Sequence, residues 1–166
     1  MVSVKKTLQL SENLLTALCV GAFAIMFVLG IATVVFRFII ESSLAFPDEV
    51  IRYLFVWMIF LGSAVAFRRK MHASIGILVA NLPVTIRRYA ILGSTLVSGI
   101  FFGLILWSGY LLTLRTVPQI SPALEVSMAW VYAAIPVGMA FLVIYALELF
   151  FLQWIAPDEV LLADDL

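Results

Sequence analysis

The sequence predicts an all-α integral membrane protein with four transmembrane helices, both termini cytoplasmic, and a short amphipathic interfacial helix in the 2–3 loop. Three observations carry that prediction. Of 166 residues, 64% are hydrophobic and 12% charged, with a mean hydropathy of +1.16; a soluble domain is about 45–50% apolar and about 25% charged. The apolar residues gather in four stretches, and a membrane helix needs ~20 such residues in a row. Lysine and arginine are shared unevenly among the segments between them.

The first stretch runs from about Leu14 to Ile40. It is too long for the apolar part of a signal peptide, and no small-residue cleavage site with a polar mature start follows, so a retained span is expected. The second covers about 50–67, between Pro47-Asp48-Glu49 and Arg68-Arg69-Lys70. The third covers about 89–112, opened by Arg87-Arg88 and closed by Arg115. The fourth covers about 128–155, after a Pro- and Ser-containing loop at 117–127. Nothing marks a second domain, so residues 1–166 are expected to form one four-helix unit.

The N-terminus and the 2–3 loop carry seven basic residues (Lys5, Lys6, Arg68, Arg69, Lys70, Arg87, Arg88), against three elsewhere (Arg37, Arg52, Arg115). The positive-inside rule then puts both termini and the 2–3 loop in the cytoplasm. Between the basic clusters, Met71, Ile75, Leu78, Val79 and Leu82 recur at helical spacing before Pro83, the pattern of a helix lying on the membrane surface. Arg68, Arg69, Lys70, His72, Arg87 and Arg88 form the expected cytoplasmic interface, with His72 facing solvent or headgroups.

Trp107, Trp130 and Trp154 fall near span ends, where amphipathic rings favour the interface. Trp57 sits near the middle of the second span and is expected to pack against another helix. Thr95, Gly99 and Gly103 share one face of the third span, and Ala134 and Gly138 one face of the fourth. Small residues let helix backbones approach closely in lipid.

Balanced charge, ten basic and ten acidic residues, argues against nucleic acid as a partner. A single cysteine, Cys19, excludes a disulfide framework or dithiol site within this chain, and a single histidine, His72, excludes a bis-histidine haem. There is no phosphate-binding loop and no Ser-His-Asp arrangement. The residues thus give no indication of an enzyme, a bound cofactor or a metal site. Charge at mid-bilayer costs ~2.5–3.5 kcal/mol on insertion scales, and no acid or base falls at the centre of a span. Arg37 can snorkel from the end of the first; Glu148, near the end of the fourth, is within reach of Arg68, Arg69 or Lys70. Glu49 and Arg52, three apart at the start of the second helix, share a face as a possible ion pair, with Arg37 a further partner. The alternative for that pair is a capped helix start, with acids favoured by the helix dipole.

The second span and its flanks read Glu49-x-x-Arg52-Tyr53-x-x-x-Trp57, then Phe60-Leu61-Gly62 and the basic cluster. The 3–4 loop reads Gln119-Ile120-Ser121-Pro122-Ala123-Leu124, followed by Trp130-Val131-Tyr132 and Ile135-Pro136-Val137-Gly138. In this order, over about residues 10–155, they resemble the small membrane subunit of tripartite ATP-independent periplasmic (TRAP) transporters, the DctQ type. The resemblance implies uptake of an organic acid into bacteria across the inner membrane, driven without ATP hydrolysis. A periplasmic binding protein delivers the acid, and a large membrane subunit holds the substrate and sodium sites and moves as an elevator. The small subunit braces that partner as a heterodimer, helps dock the binding protein, and needs no cofactor of its own.

On the matching positions, Glu49, Arg52 and Trp57 are implied to hold the second helix and its subunit contacts, with Arg37, Gly99 and Gly103 as further interface candidates. Asp48, Arg115, Gln119, Ser121 and Pro122 are candidates for periplasmic docking. Glu125, Val126 and Ser127 stand where many relatives have a proline, which leaves the loop geometry open. Two other readings compete. A stand-alone four-helix exporter would need its own mid-span acid, and Glu12 and Glu41 lie instead at opposite ends of the first segment. A scaffold subunit of another membrane complex is the second; a quinone-linked or haem-binding redox protein lacks the ligands.

Overall fold

A computed structural model describes residues 2–40, 46–69 and 83–155. The expected interfacial helix, with Lys70 and His72, lies outside these residues, as does the acidic tail. The helices are α1 (Val2–Phe38), α2 (Phe46–Arg68), α3 (Val84–Arg115), α4 (Ala129–Tyr132) and α5 (Ala134–Ile155). Four segments are long and apolar enough to cross a membrane: Lys6–Phe38, Phe46–Arg68, Ile86–Arg115 and Ala129–Ile155. The second to fourth match the sequence reading within a few residues. The first begins well before Leu14, so the polar run Ser11-Glu12-Asn13 lies inside a helix rather than ahead of one.

Local chemistry explains where the helices start and stop. Pro47 occupies the second position of α2, where a missing N–H costs nothing, and Asp48 and Glu49 place negative charge in the first turn. Thr116 closes α3, its N–H donating to Leu112 O at 3.1 Å and its hydroxyl to Thr113 O at 3.0 Å. The fourth span breaks at Ala133, between α4 and α5. Pro136 has no N–H to return to the carbonyl of Tyr132, so the helical ladder has a gap there.

The helices form an open row rather than a closed bundle. α1 packs along α2, α2 along α5, and α5 along α3, while α2 reaches α3 through a ring contact. The buried core gathers Leu15 of α1, Leu61, Ala64 and Val65 of α2, Phe102 of α3, and Leu142, Tyr145 and Ala146 of α5. Phe67 and Phe102 meet edge to face at 5.2 Å. Outward-facing Leu, Ile, Val and Phe cover the rest of α1 and α3, surfaces that suit lipid tails or another apolar helix.

Exposed aromatic rings give the row a membrane frame. Tyr89 and Trp107 both point outward from α3. Their spacing along the helix is about 27 Å at ~1.5 Å per residue, close to the ~30 Å hydrocarbon thickness. Trp130 and Trp154 are likewise exposed near the two ends of the fourth span. Trp57 packs against the core and donates its indole N–H to the Trp130 carbonyl at 3.1 Å.

The close helix approaches fall on glycines other than those singled out in α3. A Cβ on Gly138 would lie 2.6 Å from Phe60 Cβ and 2.9 Å from the Phe60 carbonyl carbon, so α2 and α5 touch backbone to backbone. A Cβ on Gly109 would lie 2.5 Å from Ile135 Cγ2, whereas Gly99 is in ordinary contact with Ala146 and Gly103 faces open space within this chain. The α3 face turned to α5 follows Thr95, Gly99, Phe102 and Gly109. It drifts off the four-residue spacing because a helix turns every 3.6 residues. Gly138→Ala should therefore force α2 and α5 apart at a cost of about 1–3 kcal/mol, lowering the melting temperature of the detergent-purified protein. Gly103→Ala in the same assay should leave it unchanged.

Candidate functional site

Two polar centres sit at opposite ends of α2. At the C-terminal end, Arg68 is the hub of an ion network joining α1, α2 and α5. Its Nη1 donates to Glu12 Oε2 at 2.8 Å and to the Leu8 carbonyl at 2.6 Å. Its Nε and Nη2 grip both oxygens of Glu148, at 3.0 and 3.1 Å. Planar, two-pronged pairing of this kind suits arginine and a carboxylate. Arg69 adds a bond from Nε to Glu12 Oε1 at 2.7 Å and one from Nη2 to the Thr16 hydroxyl at 3.3 Å.

Apart from exposed Arg69 the network is largely buried, and its polar surroundings are supplied by the same three helices. The Arg68 side chain is 11% exposed, Glu12 9% and Glu148 15%. Beneath the guanidinium lies the ring of fully buried Tyr145, 5.2 Å away, a placement the ring's negative face favours. The Tyr145 hydroxyl is hydrogen-bonded to Ser11 Oγ at 2.9 Å, whose own hydroxyl also reaches Leu8 O. Glu148 lies about 9 Å inside Trp154 along α5 at ~1.5 Å per residue, so the network sits below the aromatic ring level. Two acids and two arginines cancel in charge, leaving no carboxylate unpaired.

The second centre is built on Glu49, which is 6% exposed. Its Oε2 accepts the backbone N–H of Ala123 at 2.9 Å and of Leu124 at 2.8 Å. Tyr53, one turn along α2, donates its hydroxyl to Oε1, and that hydroxyl also contacts Met128 Sδ at 3.3 Å. Glu49 and Arg52 do not form the expected ion pair: Arg52 is exposed, and so is Arg37. Three donors already satisfy the carboxylate, and an arginine at a helix start gains more from water than from competing for it.

What Glu49 holds is a tight reversal between α3 and α4. Ser121 N–H donates to Val126 O at 2.9 Å and Met128 N–H to Gln119 O at 2.8 Å, with Ile120 and Ser127 bridged antiparallel. Buried Ser121 receives the Val126 N–H on its hydroxyl. Glu125 turns the chain in the left-handed region, φ 54°, which a non-glycine residue adopts only under constraint. The Ser127 hydroxyl ties the base of the loop to Val117 O at 2.8 Å.

The residues named from sequence are distributed over both ends. Glu49, Ser121 and Trp57 belong to the clamp and its neighbourhood; Asp48, Arg115, Gln119 and Pro122 are exposed around it. Arg68 and Arg69 form the opposite network, while Arg87 and Arg88 open α3. Sequence reasoning missed Glu12, Ser11, Tyr53, Tyr145 and the two loop amides. Glu12 and Ser11 carried one signal, an acid and a hydroxyl on the helical face that also presents Leu8 and Leu15. Among the described residues no group of His, Cys, Asp and Glu is placed to hold a metal ion.

Among the described residues Arg68 is the only basic one bonded to Glu148, whereas Glu12 also has Arg69. Arg68→Met should therefore strand a buried carboxylate and cost about 3–5 kcal/mol. Arg68→Met/Glu148→Gln removes both charges and should recover most of that loss. Thermal unfolding in detergent reads the difference.

Comparison with known proteins points one way. The family profile for tripartite ATP-independent periplasmic transporters, DctQ component, matches residues 26–156. A putative TRAP transporter small permease protein of Haemophilus influenzae is 39% identical over 69 residues, 42% of this chain and 43% of that protein. The C4-dicarboxylate TRAP transporter small permease protein DctQ of Rhodobacter capsulatus is 32% identical over 111 residues, 66% of this chain and 49% of that protein. The chain thus spans less than half the length of each of these two curated relatives. The sialic acid TRAP transporter small permease protein SiaQ of Vibrio cholerae is 26% identical over 148 residues, 89% of this chain and 84% of that protein.

Proposed function

The chain belongs to the DctQ-component family of tripartite ATP-independent periplasmic transporters, and from that premise we propose that it is a small, non-catalytic subunit bracing a large membrane partner. It is a multi-pass membrane protein; family membership favours the inner membrane, and the basic residues favour both termini and the Arg68 end on the cytoplasmic side. The large subunit carries the sodium and substrate sites, and this chain carries no cofactor. A soluble periplasmic protein delivers an organic acid, a dicarboxylate, sialic acid or similar carboxylate, and this chain helps to dock it at the Glu49 end.

The observation that supports the bracing role is the open row. A four-helix unit with its own ion path would surround that path, and here the buried acids Glu12 and Glu148 are consumed by Arg68 and Arg69. An edge-to-edge row of helices instead offers broad apolar faces, as suits packing against another membrane protein. Arg37, Arg52 and Gly103 remain candidates for that contact, whereas Gly99 is turned to Ala146 of α5; Asp48, Arg115, Gln119 and Pro122 remain candidates for docking. The neutralised acids count against a stand-alone exporter, which needs a titratable carboxylate free in its path.

Mild-detergent purification of the chain from its native membrane, with mass spectrometry of what accompanies it, tests this reading. A much larger polytopic subunit, without an ATPase, should co-purify in a one-to-one complex. Recovery of the chain alone as a homodimer would overturn the reading.

A further inference from the structure

The Glu49 clamp joins two parts of the chain that have no other charged link. One is the first turn of α2; the other is the reversal at 119–128, whose internal bonds close it without help from α2. Those internal bonds fix the shape of the loop, and the carboxylate fixes its orientation. It accepts two successive amide protons on one oxygen and a phenol on the other. Held this way, the loop and its base carry the exposed apolar residues Val117, Pro118, Ile120, Pro122 and Val126. The loop follows α3 past Trp107 and Tyr110, so it lies outside the hydrocarbon layer framed by the aromatic rings, where lipid tails cannot cover it.

We infer that Glu49 is the positioning residue that holds the 119–128 loop in the conformation in which it docks the soluble, substrate-loaded binding protein. This rests on the functional reading above. Among the described residues exposed Arg37, Arg52 and Arg115 outnumber exposed Asp48 and Glu125 at this end, so the partner's docking face is an apolar patch with a rim richer in carboxylates than in bases, since oppositely charged rims steer encounter. Glu49 touches neither substrate nor binding protein. Its effect is to order the loop before the encounter, so that docking does not have to do so.

The test uses the whole transporter, this chain with its large subunit, in proteoliposomes titrated with substrate-loaded binding protein. Glu49→Gln keeps the side-chain shape and removes the charge that strengthens the two amide bonds. It should raise the half-saturating concentration of binding protein about tenfold, the factor that corresponds to weakening a hydrogen bond to a charged group, and leave the saturated rate intact. Amide exchange at Ala123 and Leu124 should quicken in the same variant. Faster exchange with an unmoved half-saturating concentration would overturn the docking role and leave the family reading standing. Unchanged exchange would overturn the clamp itself, and a fall in saturated rate alone would reduce Glu49 to a structural part.

If Glu49→Gln does not assemble, the unaltered transporter decides. Adding binding protein should slow amide exchange across 119–128, and exchange that stays the same there overturns the inference. Failure of the functional reading looks different: unaltered transporter would then show no uptake that depends on a binding protein at all.

Discussion

Arg68 cannot lose its charge at any ordinary pH, and it stands at the end of a helix surrounded by apolar side chains. Everything near it answers that constraint. Glu148 supplies a two-pronged carboxylate, Glu12 a second acid, Leu8 a carbonyl and Tyr145 the face of a ring. These come from α1 and α5, so satisfying one side chain fixes the register of three helices. Tyr145, the largest fully buried side chain, packs immediately beside it. In lipid the hydrophobic effect does little to hold helices together, since tails are as apolar as leucine. Close packing at Gly138 and a neutral, fully bonded charge network take over that task.

The opposite end of α2 solves a related problem by different means. Glu49 meets backbone amides and a tyrosine rather than a cation, and so it joins a helix to a loop instead of a helix to a helix. Amides of adjacent residues converge on one oxygen only when the chain turns sharply there. The strained backbone of Glu125 is part of the same turn. A charge at each end of one helix thus ties it to everything else: α1 and α5 at one extremity, the α3–α4 connection at the other.

Much of this was legible in the sequence, and the reasons for success and failure are specific. Four spans follow from hydropathy because few solutions other than helices can bury a backbone in lipid. Trp57 betrayed its contact by sitting too deep for an interfacial ring. The Arg68–Glu148 bond was within reach by charge and span end alone. Glu12 was hidden because Ser11, Glu12 and Asn13 together look like the flank of a helix, not its interior. Glu49 pointed to Arg52 by spacing, yet its partners are Tyr53 one residue further on and two amides more than seventy residues away. Backbone donors leave no mark in a sequence. Gly109 lay off the four-residue stripe that Thr95, Gly99 and Gly103 suggest, since a helix rotates away from any whole-number repeat.

The order of the row also bears on how the chain is made. Helices leave the ribosome as α1, α2, α3, α4, α5, whereas neighbours in the row run α1, α2, α5, α3. The first two can pair as soon as both have entered the bilayer. The third then has the Phe67–Phe102 ring contact with α2 but no helix packed along it, and Thr95 lacks the Gln153 side chain that later accepts its hydroxyl proton. Only when the last helix arrives does it slot between α2 and α3, closing both seams at once and bringing Glu148 to an Arg68 that until then has Glu12 and the Leu8 carbonyl. Assembly of the row therefore ends with its final helix, and a chain cut short before that helix leaves the α1–α2 pair and α3 without the element that packs along both.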